Sequence, residues 1–223
     1  MAEALKEMPE IIRQSQALVS GEVEKEFDRV LAQLERDTGW KADETKMPFV
    51  AMKRDVEPLS RALEEYASTV KPDDAKLALL KKKLELINEK DQENRAICAQ
   101  RRYLRPWKYA GSDGEEIEKA AGAIVKKAFP KAQILRTTLP ATSWKEERVL
   151  EYTDTTQTAI RYRVTHFMSA DVAAKADDGK VYLHGVHIAA DRTSSGNWGE
   201  LYGNVMWSDW MIEENVNKKP PTP

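Results

Sequence analysis

The chain of 223 residues has one cysteine, three histidines and no long apolar run. The cysteine, Cys98, rules out an internal disulfide and says little about the redox compartment. No stretch approaches the roughly 18 consecutive apolar residues of a membrane span, so no membrane span is expected. The N-terminal region carries repeated glutamates and no apolar core, which argues against a signal peptide as written. We therefore expect a soluble protein, cytoplasmic as written, and leave export after removal of a signal peptide open.

An excess of charge of either sign is also missing. Lys and Arg total 35, Asp and Glu total 37, and the formal net charge is −2. Dedicated nucleic-acid binders are usually strongly basic, so this balance argues against a nucleic-acid partner. Gly-rich phosphate loops, GxSxG elbows, CxxC pairs and HExxH are absent from the sequence. Their absence lowers the expectation of an enzyme without excluding one, and no cofactor is predicted.

Residues 1–110 have helical periodicity between sparse Pro and Gly breakers. The strongest pattern predicts a helix from Asp73 to about Leu104. Its apolar positions continue into Asp91 and Asn94, and two heptads are short for a coiled coil, so we expect this stretch to be solvated. The apolar stripes of the three predicted helices are Val23, Phe27, Val30, Leu31 and Leu34, then Val56, Leu59, Leu63 and Ala67, then Leu77, Leu80, Leu84 and Ile87.

Residues 111–216 form a different kind of region. Ser112 followed by Glu115 is a capping-box pattern and predicts a helix that ends at Pro130. Alternating patterns then predict strands, with a hairpin turn at residues 177–179. The strands are Ile134–Leu139, Trp144–Tyr152, Thr158–Val172, Val181–Ala190 and Leu201–Met211. Residues 217–223 are predicted to be a disordered tail.

This order of elements predicts an α+β fold. An N-terminal helical region precedes one helix and a curved four- or five-stranded antiparallel sheet, which buries one face against that helix. Cystatin-like and nuclear-transport-factor-like domains share this order, an architectural analogy that carries no function. Residues 111–216 are of a size that can fold alone.

The three histidines lie in predicted strands. His184 and His187 are three residues apart and so lie on opposite faces of a regular strand. A zinc site would need a bulge at Gly185, and ordinary hydrogen-bonded histidines are commoner, so no metal is predicted. His166 lies on the apolar side of its strand, where an unsatisfied ring would cost about 1–3 kcal/mol. We expect it to have a structural role, with a pocket-lining role as the alternative.

Residues 101–109 interleave four cations with three aromatic side chains. This composition is typical of nucleic-acid contacts, in which rings stack and cations hold the phosphates. A junction between two regions also packs its aromatic rings and leaves its cations solvated. The net charge favours the junction interpretation. The weak nucleic-acid candidates are Arg101, Arg102, Arg105 and Lys108.

Two main functional hypotheses remain. The first is a non-enzymatic binding or interaction protein, in which the helical region docks to a protein partner or self-associates and the α+β region is a binding module. The second is a small-molecule-binding protein or hydrolytic enzyme with a site in the concave face of the sheet. Candidate ligand-binding residues are His166, Arg161, Arg163, Asp154, His184, His187 and Trp210. No catalytic residue is assigned.

Overall fold

The computed structural model describes residues 21–70, 74–152 and 155–220. The chain divides into two compact units, Met1–Cys98 and Ala99–Pro223. The boundary between the units lies before residue 110, where the sequence pattern places it. Leu104 belongs to the second unit, because it packs with the sheet residues Leu183 and Met211. The predicted tail begins at residue 217, directly after Val216, which is buried in the same cluster.

Among the described residues of the first unit, three helices pack their apolar stripes together. Helix α1 covers residues 21–35, α2 is Lys53–Thr69, and α3 is Ala75–Arg101, whose last turn belongs to the second unit. Each predicted stripe supplies buried residues, so the periodicity identified the packed faces. The core contains Phe27, Val30, Leu34, Leu59, Leu63, Leu80 and Ile87.

The two polar positions that continue the apolar stripe of α3 are not solvated as expected, since Asn94 is buried and Asp91 is partly buried. The Asn94 side chain is 4% exposed and donates to the carbonyl oxygens of Leu34 (2.9 Å) and Phe49 (2.8 Å). The Asp91 carboxylate accepts the N–H of Ala51 at 2.7 Å. These side chains satisfy backbone groups in the last turn of α1 and in the segment that follows it, and such pairing offsets the cost of burying a polar group.

The second unit is an α+β fold with one helix and a five-stranded antiparallel sheet that does not close, as predicted. Its strand order is β1-β3-β4-β5, and β2 pairs with β3 on the same edge as β1. A 3-10 turn, Glu213–Asn215, follows the sheet. The other elements are α4 Gly114–Ala128, β1 Gln133–Thr138, β2 Lys145–Tyr152, β3 Ile160–Lys175, β4 Val181–Asp191 and β5 Tyr202–Met211.

Helix α4 packs its apolar stripe on one face of the sheet, which we call the helix face. Ile117, Ala121 and Val125 are fully buried there against Val172 and Ile188. Packing of this kind contributes about 25 cal/mol for each Å² of apolar surface removed from water.

The capping box predicted at Ser112 and Glu115 does not form. Asp113 is the N-cap residue of α4 and makes no side-chain cap bond. Its carboxylate accepts hydrogen bonds from Tyr109 and Trp144 instead. The side chain at the start of this helix therefore serves tertiary packing.

Candidate functional site

Strand pairing determines where the three histidines lie. His166 is opposite Ala190 and His184 is opposite Val172, so both point to the helix face. Val172, the partner of His184, lies six residues from His166 along β3, so the two histidines are about 20 Å apart at the usual strand rise. His187 points to the other face, where its ring is 5.4 Å from that of Phe167. Within the described residues no group of three or more metal-ligating side chains comes together.

His166 is sandwiched between two tryptophans. Its ring centroid is 3.9 Å from that of Trp144 and 3.8 Å from that of Trp198, with interplanar angles of 5° and 12°. Its Nε2 is buried and makes no hydrogen bond to the described residues. Burial lowers the pKa of the ring, against a smaller opposing effect of the nearby Asp113 and Glu146 charges. Aromatic rings thus occupy both sides of His166.

One hydrogen bond to Asp113 holds the Trp144 ring in this stack, and a second, from Tyr109, holds the Asp113 carboxylate. Asp113 accepts the Nε1–H of Trp144 at 3.0 Å and the hydroxyl of Tyr109 at 2.6 Å. Burial, together with the Asp113 bond, raises the pKa of Tyr109 to about 12. This end of the helix face is therefore filled and held by a polar network, as expected of a structural element.

His184 lies at the other end of the helix face and lines a cavity of about 560 Å³. Its Nδ1 is 2.7 Å from the Ser208 hydroxyl oxygen, and its ring is 4.9 Å from that of Phe129 at 30°. Burial lowers the pKa of His184, which keeps the imidazole neutral near pH 7. The cavity is lined by Ala128, Phe129, Pro130, Lys131, Ala132, Ala174, Ala176, Asp177, Asp178, Tyr182, His184 and Ser208.

The polar groups of this cavity come from Lys131, the β3–β4 turn, the first half of β4 and Ser208 of β5. Lys131 and Asp177 form an exposed ion pair at 3.3 Å. The Tyr182 hydroxyl donates to Asp178 at 3.2 Å, and burial followed by the Asp178 charge raises the pKa of Tyr182. The cavity therefore combines apolar walls, two aromatic rings and a few hydrogen-bonding groups.

Other candidate residues lie away from this cavity. Arg161 and Arg163 point to the face opposite α4, and both pair with the Glu151 carboxylate. Trp210 is opposite Tyr182 on the helix face, and the Lys180 ammonium lies 5.5 Å from its ring centroid. Asp154 lies outside the described residues.

Two arginines of the basic segment form ion pairs within the second unit. Arg102 donates to the Trp210 carbonyl at 2.8 Å and pairs with Asp209 at 3.1 Å. Arg105 makes a bidentate pair with Asp171, whose side chain is 1% exposed. These contacts give the arginines structural roles, and the nucleic-acid site remains a prediction.

The sequence did not single out Ser208 or Phe129 as site residues. Ser208 faces His184 because the β4–β5 register shifts beside Gly185, so that Gly185 pairs with Trp207 and Val186 with Val205. Phe129 follows the last residue of α4, and the sequence places it in the helix predicted to end at Pro130. Gly185 is the one local signal, because an isolated glycine within a strand often marks a bulge or a close approach of another chain segment. The strand pattern does not show which residue of β5 the shift brings opposite His184.

Comparisons with protein-family models, with curated proteins and with solved structures find no match to this chain. In the part of the chain that the structure describes, none of the helices is both long and apolar enough to cross a bilayer. The site therefore has to be interpreted from its own geometry.

Proposed function

We propose that the second unit is a non-enzymatic binding module for a small, largely apolar molecule. The observation that carries this proposal is the cavity of about 560 Å³ beside the His184–Ser208 pair. Its volume lies within the range of about 300–1,000 Å³ that small-molecule sites occupy, and its lining of apolar walls with few polar groups is also typical.

The chemistry of the cavity favours a ligand with one aromatic or aliphatic body and one polar group. Phe129, Tyr182 and several alanines offer apolar contact. A neutral imidazole has one donor and one acceptor nitrogen. Whichever role His184 Nδ1 takes toward Ser208, its Nε2 has the complementary one for a ligand.

Binding of the neutral fluorophore 1-aminoanthracene to the full chain tests this proposal. We expect saturable binding with one molecule per chain, and amide chemical-shift changes confined to residues that line the cavity or lie between lining residues. These are residues 128–129, 131–132, 174–178, 182–184 and 208. Shift changes at the exposed apolar side chains of the β2–β3 hairpin in place of the cavity would contradict the proposal. These side chains are Leu150, Tyr152, Ile160 and Tyr162.

The 2.7 Å contact between Ser208 Oγ and His184 Nδ1 favours a second candidate function, ester hydrolysis. In a hydrolase the imidazole would take the serine proton as the hydroxyl attacks a carbonyl carbon. Such a base is normally oriented by a third group. Burial is the cause of the lowered His184 pKa, and no neighbouring carboxylate among the described residues contributes to it. If the wild type hydrolyses p-nitrophenyl acetate and Ser208→Ala does not, the cavity is a hydrolytic active site, and the non-enzymatic proposal is wrong.

The first unit is proposed to associate with a protein partner or with a second copy of the chain. It exposes large apolar side chains, among them Met52 at 55% and Leu79 at 43%. Sedimentation equilibrium of the full chain tests self-association. If the chain is monomeric at all accessible concentrations, self-association is excluded and a separate protein partner remains. Crosslinking in the native cell tests for that partner.

A further inference from the structure

A second cavity lies on the face of the sheet opposite α4, where the edge of β3 has no partner strand. Strand β1 ends with Thr138 opposite Asp171, and β2 begins with Lys145 opposite Phe167. Residues 168–170 are therefore unpaired on this edge. The loop of residues 139–144 spans the gap and, with β3, encloses about 380 Å³. We call this cavity the edge notch.

The lining of the edge notch is cationic and contains no carboxylate. Lys108 and Lys145 both line it, and neither has an ion-pair partner among the described residues. Arg105 also lines it, but its charge is balanced by the buried Asp171 at 2.5 and 2.8 Å. Two unbalanced positive charges therefore remain at one small cavity.

Several elements bring these groups together. The backbone N–H of Lys108 donates to the Leu139 carbonyl at 2.8 Å, which ties the segment after α3 to the end of β1. The Lys145 side chain shares the face of its pairing partner Phe167. Hydroxyl groups of Thr142, Ser143 and Ser169 also line the notch, and the rest of the lining is apolar. The apolar residues are Pro140, Ala141, Phe167 and Met168. Ammonium and hydroxyl groups are donors that suit a tetrahedral oxyanion.

We propose that the edge notch binds a phosphate-class anion, either inorganic phosphate or the phosphate group of a small phosphomonoester. Lys108 and Lys145 line the same cavity without a carboxylate beside them, so a dianion bound there would be attracted by both charges. A small anion is favoured over a nucleic-acid backbone because the neighbouring Arg102 and Arg105 already bind Asp209 and Asp171.

Titration of the ¹⁵N-labelled full chain with inorganic phosphate, and separately with glycerol 3-phosphate, tests the inference. We expect saturable shift changes at residues 142–145 and 169. Tighter binding of glycerol 3-phosphate would assign the site to phosphomonoesters, and equal or weaker binding would assign it to phosphate alone. Lys108→Gln and Lys145→Gln should each weaken binding by about tenfold, the size of one lost charge-assisted hydrogen bond.

Lys218→Gln is the charge-matched control, because Lys218 is exposed in the same unit and does not line the edge notch. It should leave phosphate affinity unchanged, and thermal unfolding should show that all three variants are folded. Equal weakening by Lys218→Gln, or shift changes spread over the whole surface, would overturn the inference. So would a short single-stranded DNA that binds more tightly than either phosphate compound.

Discussion

The two ends of the helix face each bury a histidine, but they pack it in opposite ways. At one end, the rings of Trp144 and Trp198 stack on both sides of His166, with centroids within 4 Å. At the other end, His184 meets the tilted ring of Phe129 at 4.9 Å and opens onto about 560 Å³ of space. Residue type, burial and direction of the pKa shift are the same at both ends.

The two histidines therefore differ in how their surroundings are packed. Atoms that line an empty space lose dispersion contacts, so an open cavity in an otherwise packed unit lowers stability. The filled end gains those contacts and is held by the Asp113 network. We infer that the His166 end contributes stability and the His184 end contributes affinity, and each variant below tests one side of this division.

The largest expected effect is on stability at the filled end. His166→Ala should lower the free energy of unfolding by about 3 kcal/mol, because it leaves a space between two indole rings. His187→Ala is the control, since His187 is only partly buried and lies on the other face. It should cost about 1 kcal/mol or less. Urea denaturation measures both values, and a stability of His166→Ala equal to that of the wild type would contradict a structural role.

The next effect is on binding at the open end. His184→Ala should weaken 1-aminoanthracene binding by about tenfold, because the ligand loses its hydrogen-bond partner. Its stability should fall less than that of His166→Ala, since the ring already borders open space. Fluorescence titration and urea denaturation of the same preparations separate the two effects. An unchanged affinity with a large loss of stability would reverse the assignment of the two histidines.

A smaller effect is expected for the partner of His184. Ser208→Ala removes one hydrogen bond, worth about 1 kcal/mol, and should weaken probe binding by roughly fivefold. Ser208→Thr retains the hydroxyl and should recover most of the affinity. If Ser208→Ala binds the probe as the wild type does, the Ser208–His184 hydrogen bond plays no part in positioning the imidazole.

The smallest effect is a pH dependence that both ends share. The pKa of His166 and of His184 is lowered in the folded chain, so the unfolded chain takes up these protons first as the pH falls below about 6.5. Stability should therefore decrease on acidification from pH 7 toward pH 5. Asp113 and Asp191 have lowered pKa values, and their contribution is lost only below about pH 4.

Urea denaturation at pH 7 and at pH 5.5 measures this dependence, and the double variant His166→Gln/His184→Gln should reduce it. Stability that rises between pH 7 and pH 5.5 would contradict the burial of the two neutral rings.

The sheet could be predicted from the sequence because hairpin pairing follows from local chemistry. The turn at residues 177–179 contains Gly179, whose φ of 79° suits glycine, and reflection about this turn pairs His166 with Ala190 as observed. Alternation along the strands then assigned His184 and His187 to opposite faces. The α+β class needed little more than these local patterns.

The candidate site depends on features that local patterns do not encode. The register shift beside Gly185 brings Ser208 opposite His184, and the loop before β5 carries Trp198 onto His166. Both depend on tertiary packing of residues distant in sequence. The cavity itself is space left between α4 and the sheet, which no single strand or helix predicts.

The error in α3 has a similar origin. Asn94 was expected to be solvated because the apolar positions of the helix become polar there. The carbonyls of Leu34, in the last turn of α1, and of Phe49, in the following loop, satisfy its side chain, and these partners lie far from it in sequence. Helical periodicity identifies a face, but it does not show whether backbone groups from a loop cover that face.

Filling the space beside His184 with a large side chain tests whether that space is a ligand site. Ala128 and Ala123 are both exposed alanines of α4, but only Ala128 lines the cavity. Ala128→Trp should abolish 1-aminoanthracene binding, whereas Ala123→Trp should bind the probe as the wild type does, with both variants folded. Equal binding by the two variants would contradict a ligand site in this space.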